Sequence, residues 1–139
     1  MHRLRILTLN KKCKSLFDRN KIVYLCENVL NGEDVSNYNI SVIFVDDKYI
    51  VDLNKRFFNK DRTTDVISFN LSEKGVEIEG EIYINIDIIN GQAEYYSVSF
   101  EEEMKRLVIH GLLHLVGYKD DRKNKMKEME KKEDYYLTI

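Results

Sequence analysis

The stretch that most constrains the fold lies late in the chain, from Ser99 to Asp120. Ser99 and Glu102 have the spacing of a capping box, and the acids at 101–103 complement the positive end of a helix dipole. A helix running from there to about Tyr118 puts His110 and His114 one turn apart on the same face. Gly117 can take the left-handed conformation that ends a helix, so the returning chain can bring Asp120 to the same point. The pattern is His-x3-His-x5-Asp. Two neutral imidazoles and a carboxylate suit a divalent transition metal, and three protein ligands leave one position for water. Asp120 could instead hydrogen-bond a histidine ring from outside, and Asp121 competes one residue further on. The bland alternative is an apolar helix carrying two buried, hydrogen-bonded histidines.

A chain of 139 residues fits one domain, 1–139, with an ordinary core. Hydrophobic residues at 43% and charged residues at 33% are those of a soluble globular protein. No apolar run approaches the roughly 18 residues a membrane span needs, and Met1-His2-Arg3-Leu4-Arg5 lacks a signal-peptide core. The expectation is a cytoplasmic protein with no membrane partner. Cys13 and Cys26 should then be free thiols, Cys26 packed on an apolar face. A net charge of −2 gives no global attraction for nucleic acid, so any such binding must rest on a local basic patch.

Periodicity supplies the remaining elements. Residues 3–9 alternate as a strand, with Leu4, Ile6 and Thr8 on one side. After the basic link Lys11-Lys12-Cys13-Lys14, residues 15–30 have helical spacing and Asn31-Gly32 closes them; 32–39 read as loop. Residues 40–45 form a β-branched strand. Asp46 or Asp47 caps a helix whose apolar face is Tyr49, Ile50, Leu53 and Phe57. Residues 59–62 turn, 65–70 form a strand, 72–80 a charged loop, 81–85 a strand and 86–97 a helix that Gly91 weakens. A last charged helix over 124–136 turns Met126, Met129 and Leu137 inward. The fold class is α/β (α+β): a mixed sheet of about four strands packed with about five helices.

Several of these motifs coincide with those of one family. His110-Gly111-x-Leu113-His114-Leu115-x-Gly117-Tyr118 resembles the signature of the YbeY family, bacterial metal-dependent endoribonucleases implicated in ribosomal RNA maturation. Leu53-Asn54, Asp61 and Thr64-Asp65-Val66-Ile67-Ser68-Phe69 resemble its second motif. Gly80-Glu81-Ile82 is similar to its Gly-Asp-Ile strand start, and Met129 with Glu133 to its final helix. The resemblance covers most of the chain from about residue 40 onward. It implies a single α/β domain, one zinc-type ion at the end of the long helix, single-stranded RNA or ribosomal RNA as substrate, and work in ribosome maturation and quality control in association with the ribosome. It does not imply DNA. The family's ligands are three histidines; His110 and His114 match, and the third position is Asp120. The aspartate that precedes the third histidine in the family is Lys119 here. The family's functional arginine falls at Phe58.

A His2-carboxylate set with an open site is chemically sound, although its extra negative charge makes the ion a weaker Lewis acid. Phosphodiester cleavage also asks for a cation to offset charge growing on the phosphate. Arg56, Lys60 and Arg62 are the nearest candidates, with Arg56 preferred for substrate binding; the alternative is a solvated helix end and turn. Asp65 reads as orienting a histidine ring or capping the turn into its strand, and Ser68 as lining a cleft or as part of a barrel-like alternation of side chains. The tyrosine pairs Tyr95-Tyr96 and Tyr135-Tyr136 read as packing or as base-stacking surfaces. Two other readings remain. A zinc peptidase would need a general-base glutamate directly after His110, where Gly111 stands. A catalytically weakened, ribosome-associated binding module would follow from the changes at 58 and 120.

Overall fold

Side-chain alternation in the central strand divides the molecule into two hydrophobic layers. The computed structural model describes residues 2–9, 18–73 and 77–139. Its elements run β1 (His2–Thr8), α1 (Arg19–Gly32), β2 (Tyr38–Val45), α2 (Asp47–Phe58), β3 (Val66–Asn70), β4 (Ile78–Asn85), α3 (Ile86–Tyr96), α4 (Phe100–Leu115) and α5 (Lys123–Leu137). In β2 the residues Ile40, Val42 and Phe44 enter the larger core, while Ile43 and Val45 point to the other face. That is the period of two expected of a strand buried on both sides.

The sheet order is β1-β2-β4-β3. β1 and β4 pair parallel to β2, and β3 pairs antiparallel to β4 at the edge. The larger core joins Ile82 and Ile84 of the sheet to Ile22, Cys26 and Val29 of α1, Ile89 of α3, Leu107, Val108 and Leu112 of α4, and Met129 and Tyr136 of α5. α2 covers the opposite face with Ile50 and Leu53 against Ile43, Val45 and Ile67. Among the described residues, the mixed four-stranded sheet and five helices agree with the sequence reading.

Boundaries differ where tertiary packing outweighs local signals. β4 begins at Ile78, so three residues read as loop extend the ladder against Tyr38, Asn39 and Ile40. α1 continues through Gly32, α3 stops at Tyr96, and α4 stops at Leu115. The first part of the helix expected over 15–30 lies outside the described residues, as do the basic link at 11–14 and Cys13. Cys26 is free and fully buried, and burial pushes its thiol up to about 12, so it is inert packing. Tyr49 and Phe57 of α2 stay exposed yet still face the sheet, Tyr49 stacked on Tyr83 with centroids 5.9 Å apart and Phe57 edge-on to Phe69 at 5.1 Å. One face assignment is corrected. On α5, Met126 is exposed, and Glu133 and Tyr136 take the inner positions alongside Met129.

α4 lies close against the sheet at one point. A Cβ added at Gly111 would stand 2.5 Å from Ile82 Cγ2, and the Gly111 carbonyl accepts a 3.1 Å hydrogen bond from the Ser68 hydroxyl. This close approach sets the height of His110 and His114 above the edge strand β3.

Candidate metal centre

The two histidines are placed by α4, whose start is fixed as expected. Ser99 Oγ accepts from the Glu102 amide at 3.0 Å, and Glu101, Glu102 and Glu103 occupy the first turn. At the other end the chain leaves the helix through Gly117, whose φ is +109°, a value that L side chains seldom adopt. That turn carries Asp120 back over the helix end.

Each imidazole is oriented through its Nδ1. His114 Nδ1 lies 3.1 Å from the carbonyl oxygen of Tyr118, and His110 Nδ1 lies 2.7 Å from Glu133 Oε2. A carbonyl oxygen can only accept, so His114 carries its proton on Nδ1; an ionised carboxylate imposes the same tautomer on His110. Both Nε2 lone pairs then face inward, 3.1 Å apart. Asp120 Oδ2 completes the group at 3.6 Å from His110 Nε2 and 3.4 Å from His114 Nε2. All three ligand atoms lie within 4.8 Å of one another, and among the described residues no other group of three such side chains does.

Three electron-pair donors held this close repel one another unless a cation lies among them. Donors each about 2.0–2.1 Å from a tetrahedral zinc stand roughly 3.3–3.4 Å apart, which the observed separations bracket. The local field has the matching sign. Burial lowers the His110 pKa, but the hydrogen bond and charge of Glu133, with Asp65 and Asp120 beyond, outweigh it and hold the ring above its ordinary 6.5. Surroundings that favour a proton on an imidazole favour a metal cation between the rings. The donor set, its orientation and its charge therefore fit a divalent ion.

The site opens on a cleft of about 900 Å³ lined by His114, Asp120, Tyr118, Ser68, Asn54 and Phe58, with Lys60, Arg62 and Lys119 at its sides. The loop over 59–65 that forms one wall is tied from two directions. Asn54 Nδ2 donates to the Arg62 carbonyl at 2.9 Å, and the fully buried Asn85 donates to Asp47 Oδ1 at 2.8 Å, Thr63 Oγ1 at 3.1 Å and the Thr64 carbonyl at 3.2 Å.

The expected site residues separate into two groups. His110, His114 and Asp120 come together, and Ser68 lines the cleft. Asp121 lines a separate concavity. Arg56 points away, exposed and paired with Asp52 one turn back on α2 at 3.3 Å, whereas Lys60 and Arg62 reach the cleft wall. Asp65 does not contact a histidine; it lines a cavity behind His110. The group that orients His110 is Glu133, whose side chain is 7% exposed and which also accepts from Arg106 at 3.3 Å. Sequence reasoning gives Glu133 no chemical role. A signal is nonetheless there: residues 129, 133 and 136 share one face of α5, so an acid stands on the buried stripe.

The family model described as Endoribonuclease YbeY matches residues 8–139. The Endoribonuclease YbeY of Flavobacterium psychrophilum is 44% identical over 80% of this chain and 79% of its own length. That of Chloroherpeton thalassium is 37% identical over 95% of this chain and 93% of its own. The solution structure of a Thermotoga maritima protein superposes with a TM-score of 0.68 at 35% identity, covering 96% of this chain and 86% of that one. With relatives of this identity aligned along nearly the whole sequence, the chain belongs to the Endoribonuclease YbeY family.

Proposed function

We propose that this protein, as one hydrolase domain over 1–139, is a metal-dependent endoribonuclease that cuts single-stranded RNA at the mouth of the His110–His114–Asp120 group. The substrate is ribosomal RNA during maturation and quality control on or near the ribosome, in the cytoplasm, and the resident ion is zinc. One observation carries the reading: two imidazole lone pairs and a carboxylate oxygen converge at the end of a cleft whose charged walls are mainly basic. Such an ion, when bound, activates water and polarises a phosphoryl oxygen.

The chain's own residues supply the rest. Glu133 and the Tyr118 carbonyl hold both rings in the tautomer that presents Nε2, so no proton has to move before the ligands are ready. Lys60, Arg62 and Lys119 give the cleft three positive side chains against the one acid Asp120, which attracts the RNA backbone and offsets charge building on the scissile phosphate. Arg56, which faces Asp52, would have to change rotamer to join them.

The test is cleavage of an unstructured RNA by the purified full chain, with and without added zinc, beside His114→Ala. Zinc-dependent cleavage that falls more than about 100-fold in the variant is expected, since even groups that only orient ligands are commonly worth 10- to 100-fold. Equal cleavage by both proteins would place the activity elsewhere, and zinc-dependent turnover of peptide without RNA cleavage would favour the peptidase reading.

A further inference from the structure

Phe58 ends α2 at the margin of the smaller core, against Phe69, which packs on that core. It remains 47% exposed in the cleft that holds His114 and Asp120. Phe58 stacks on Phe69 with centroids 5.8 Å apart and planes 13° from parallel. Phe69 is in turn wedged edge-on by Phe57 at 5.1 Å and by Tyr83 at 5.8 Å. These contacts are the offset and edge-to-face arrangements that aromatic pairs favour.

The geometry points to a binding role for that ring: we propose that Phe58 is the stacking platform for one unpaired base of the RNA. The proposal rests on the nuclease reading above and adds the contact that positions the strand. Two features select single-stranded RNA as the occupant. Lys60 and Arg62 lie two and four residues beyond the ring and line the same cleft, so a chain of phosphates can follow the cations while a base covers the ring. The site is also continuous with the metal centre, so a base seated on Phe58 belongs to the strand being cut. A base inside a duplex has both faces covered and cannot use the platform, so the ring favours unpaired RNA. Stacking accepts any base, because each has a π-face.

The experiment uses the full chain and short RNAs carrying 2-aminopurine at successive positions, with Phe58→Leu and Phe58→Trp as variants. Wild type should quench the fluorophore at one position, and Phe58→Trp should keep that quench. Phe58→Leu should lose it and bind RNA about tenfold more weakly, the order expected for one base–aromatic stack. KM should rise while kcat, zinc content and melting temperature stay near wild type, which a merely structural role would not produce. Wild-type binding by Phe58→Leu, or a Phe58→Trp as weak as Phe58→Leu, overturns the proposal. Cleavage with no position-specific quench overturns it while leaving the nuclease reading intact. Phe58-dependent quenching without cleavage supports the platform and removes the nuclease reading instead.

Discussion

Two concavities flank the histidine pair, and they carry opposite charge. The cleft on the His114 side has Lys60, Arg62 and Lys119 in its walls and Asp120 as its single acid. The cavity on the His110 side, about 480 Å³, is lined by Asp65, Glu103, Glu130, Glu133 and Asp134, with Arg106 as the only lysine or arginine among its described lining residues. A polyanion is drawn to the first and repelled by the second, so under the proposed function the strand would reach the ligand group from the cleft. The acidic side has a different task. It surrounds the rings with negative charge, fixes the His110 tautomer through Glu133 and deepens the field that favours a cation. The centre thus lies at a boundary, with substrate attraction on one side and metal attraction on the other.

Removing the link between the two sides should have the largest effect. Glu133→Gln keeps an acceptor near His110 Nδ1 but removes the charge, and zinc affinity by competition with a chelating dye should fall about 10- to 100-fold. An unchanged affinity would mean that the acidic side does not tune the centre. Next comes the cleft. The double substitution Lys60→Glu and Arg62→Glu should weaken RNA binding about tenfold at moderate salt while zinc content stays constant. The slope of log affinity against log salt should shrink by about 0.7 for each lost phosphate contact. An equal loss from charge substitutions in the acidic cavity would erase the distinction.

The smallest effect concerns two glutamates of opposite character, Glu103 buried and Glu33 half-buried. Burial raises the Glu103 carboxyl above its ordinary 4.5; Gln92 donates to Oε2 at 2.8 Å, and Oε1 has no partner among the described residues. Burial also opposes ionisation of Glu33, but hydrogen bonds from Tyr136, Tyr118 and Lys132 outweigh it and hold that carboxyl below the ordinary value. The signs follow from linkage. Charged Glu103 costs stability as the pH rises through and beyond 4.5, so Glu103→Gln should be about 1 kcal/mol more stable than wild type at pH 7. That advantage should vanish in acid. Charged Glu33 contributes stability above 4.5 that is lost as the pH falls through its lower folded value, so Glu33→Gln should be the less stable protein at pH 7 and converge with wild type in acid. Denaturant melts at both pH values read the two comparisons together.

How much of this is legible in the sequence depends on the range of the interaction involved. The capping box at Ser99, the glycine exit at 117 and the four-residue spacing of the histidines are local signals, and together they suffice to make three groups converge. β4 reads too short because Ile78, Glu79 and Gly80 carry weak strand signals of their own and are held by a ladder with β2. Nearness in sequence favours Arg56, but at 3.6 residues per turn it falls on the Asp52 side of α2, away from the cleft. Glu133 contacts a histidine 23 residues away in the chain. Only the packing of α5 against α4 brings it there, and no local pattern encodes that docking.

The most direct test of the central claim is metal stoichiometry by elemental analysis after equilibrium dialysis against zinc, for wild type, His114→Ala and Asp120→Ala, each shown folded by circular dichroism. One ion per chain in wild type, none retained by His114→Ala and weakened retention by Asp120→Ala is the predicted result. Equal zinc in all three folded proteins would contradict it, because the ion would then be held by other residues.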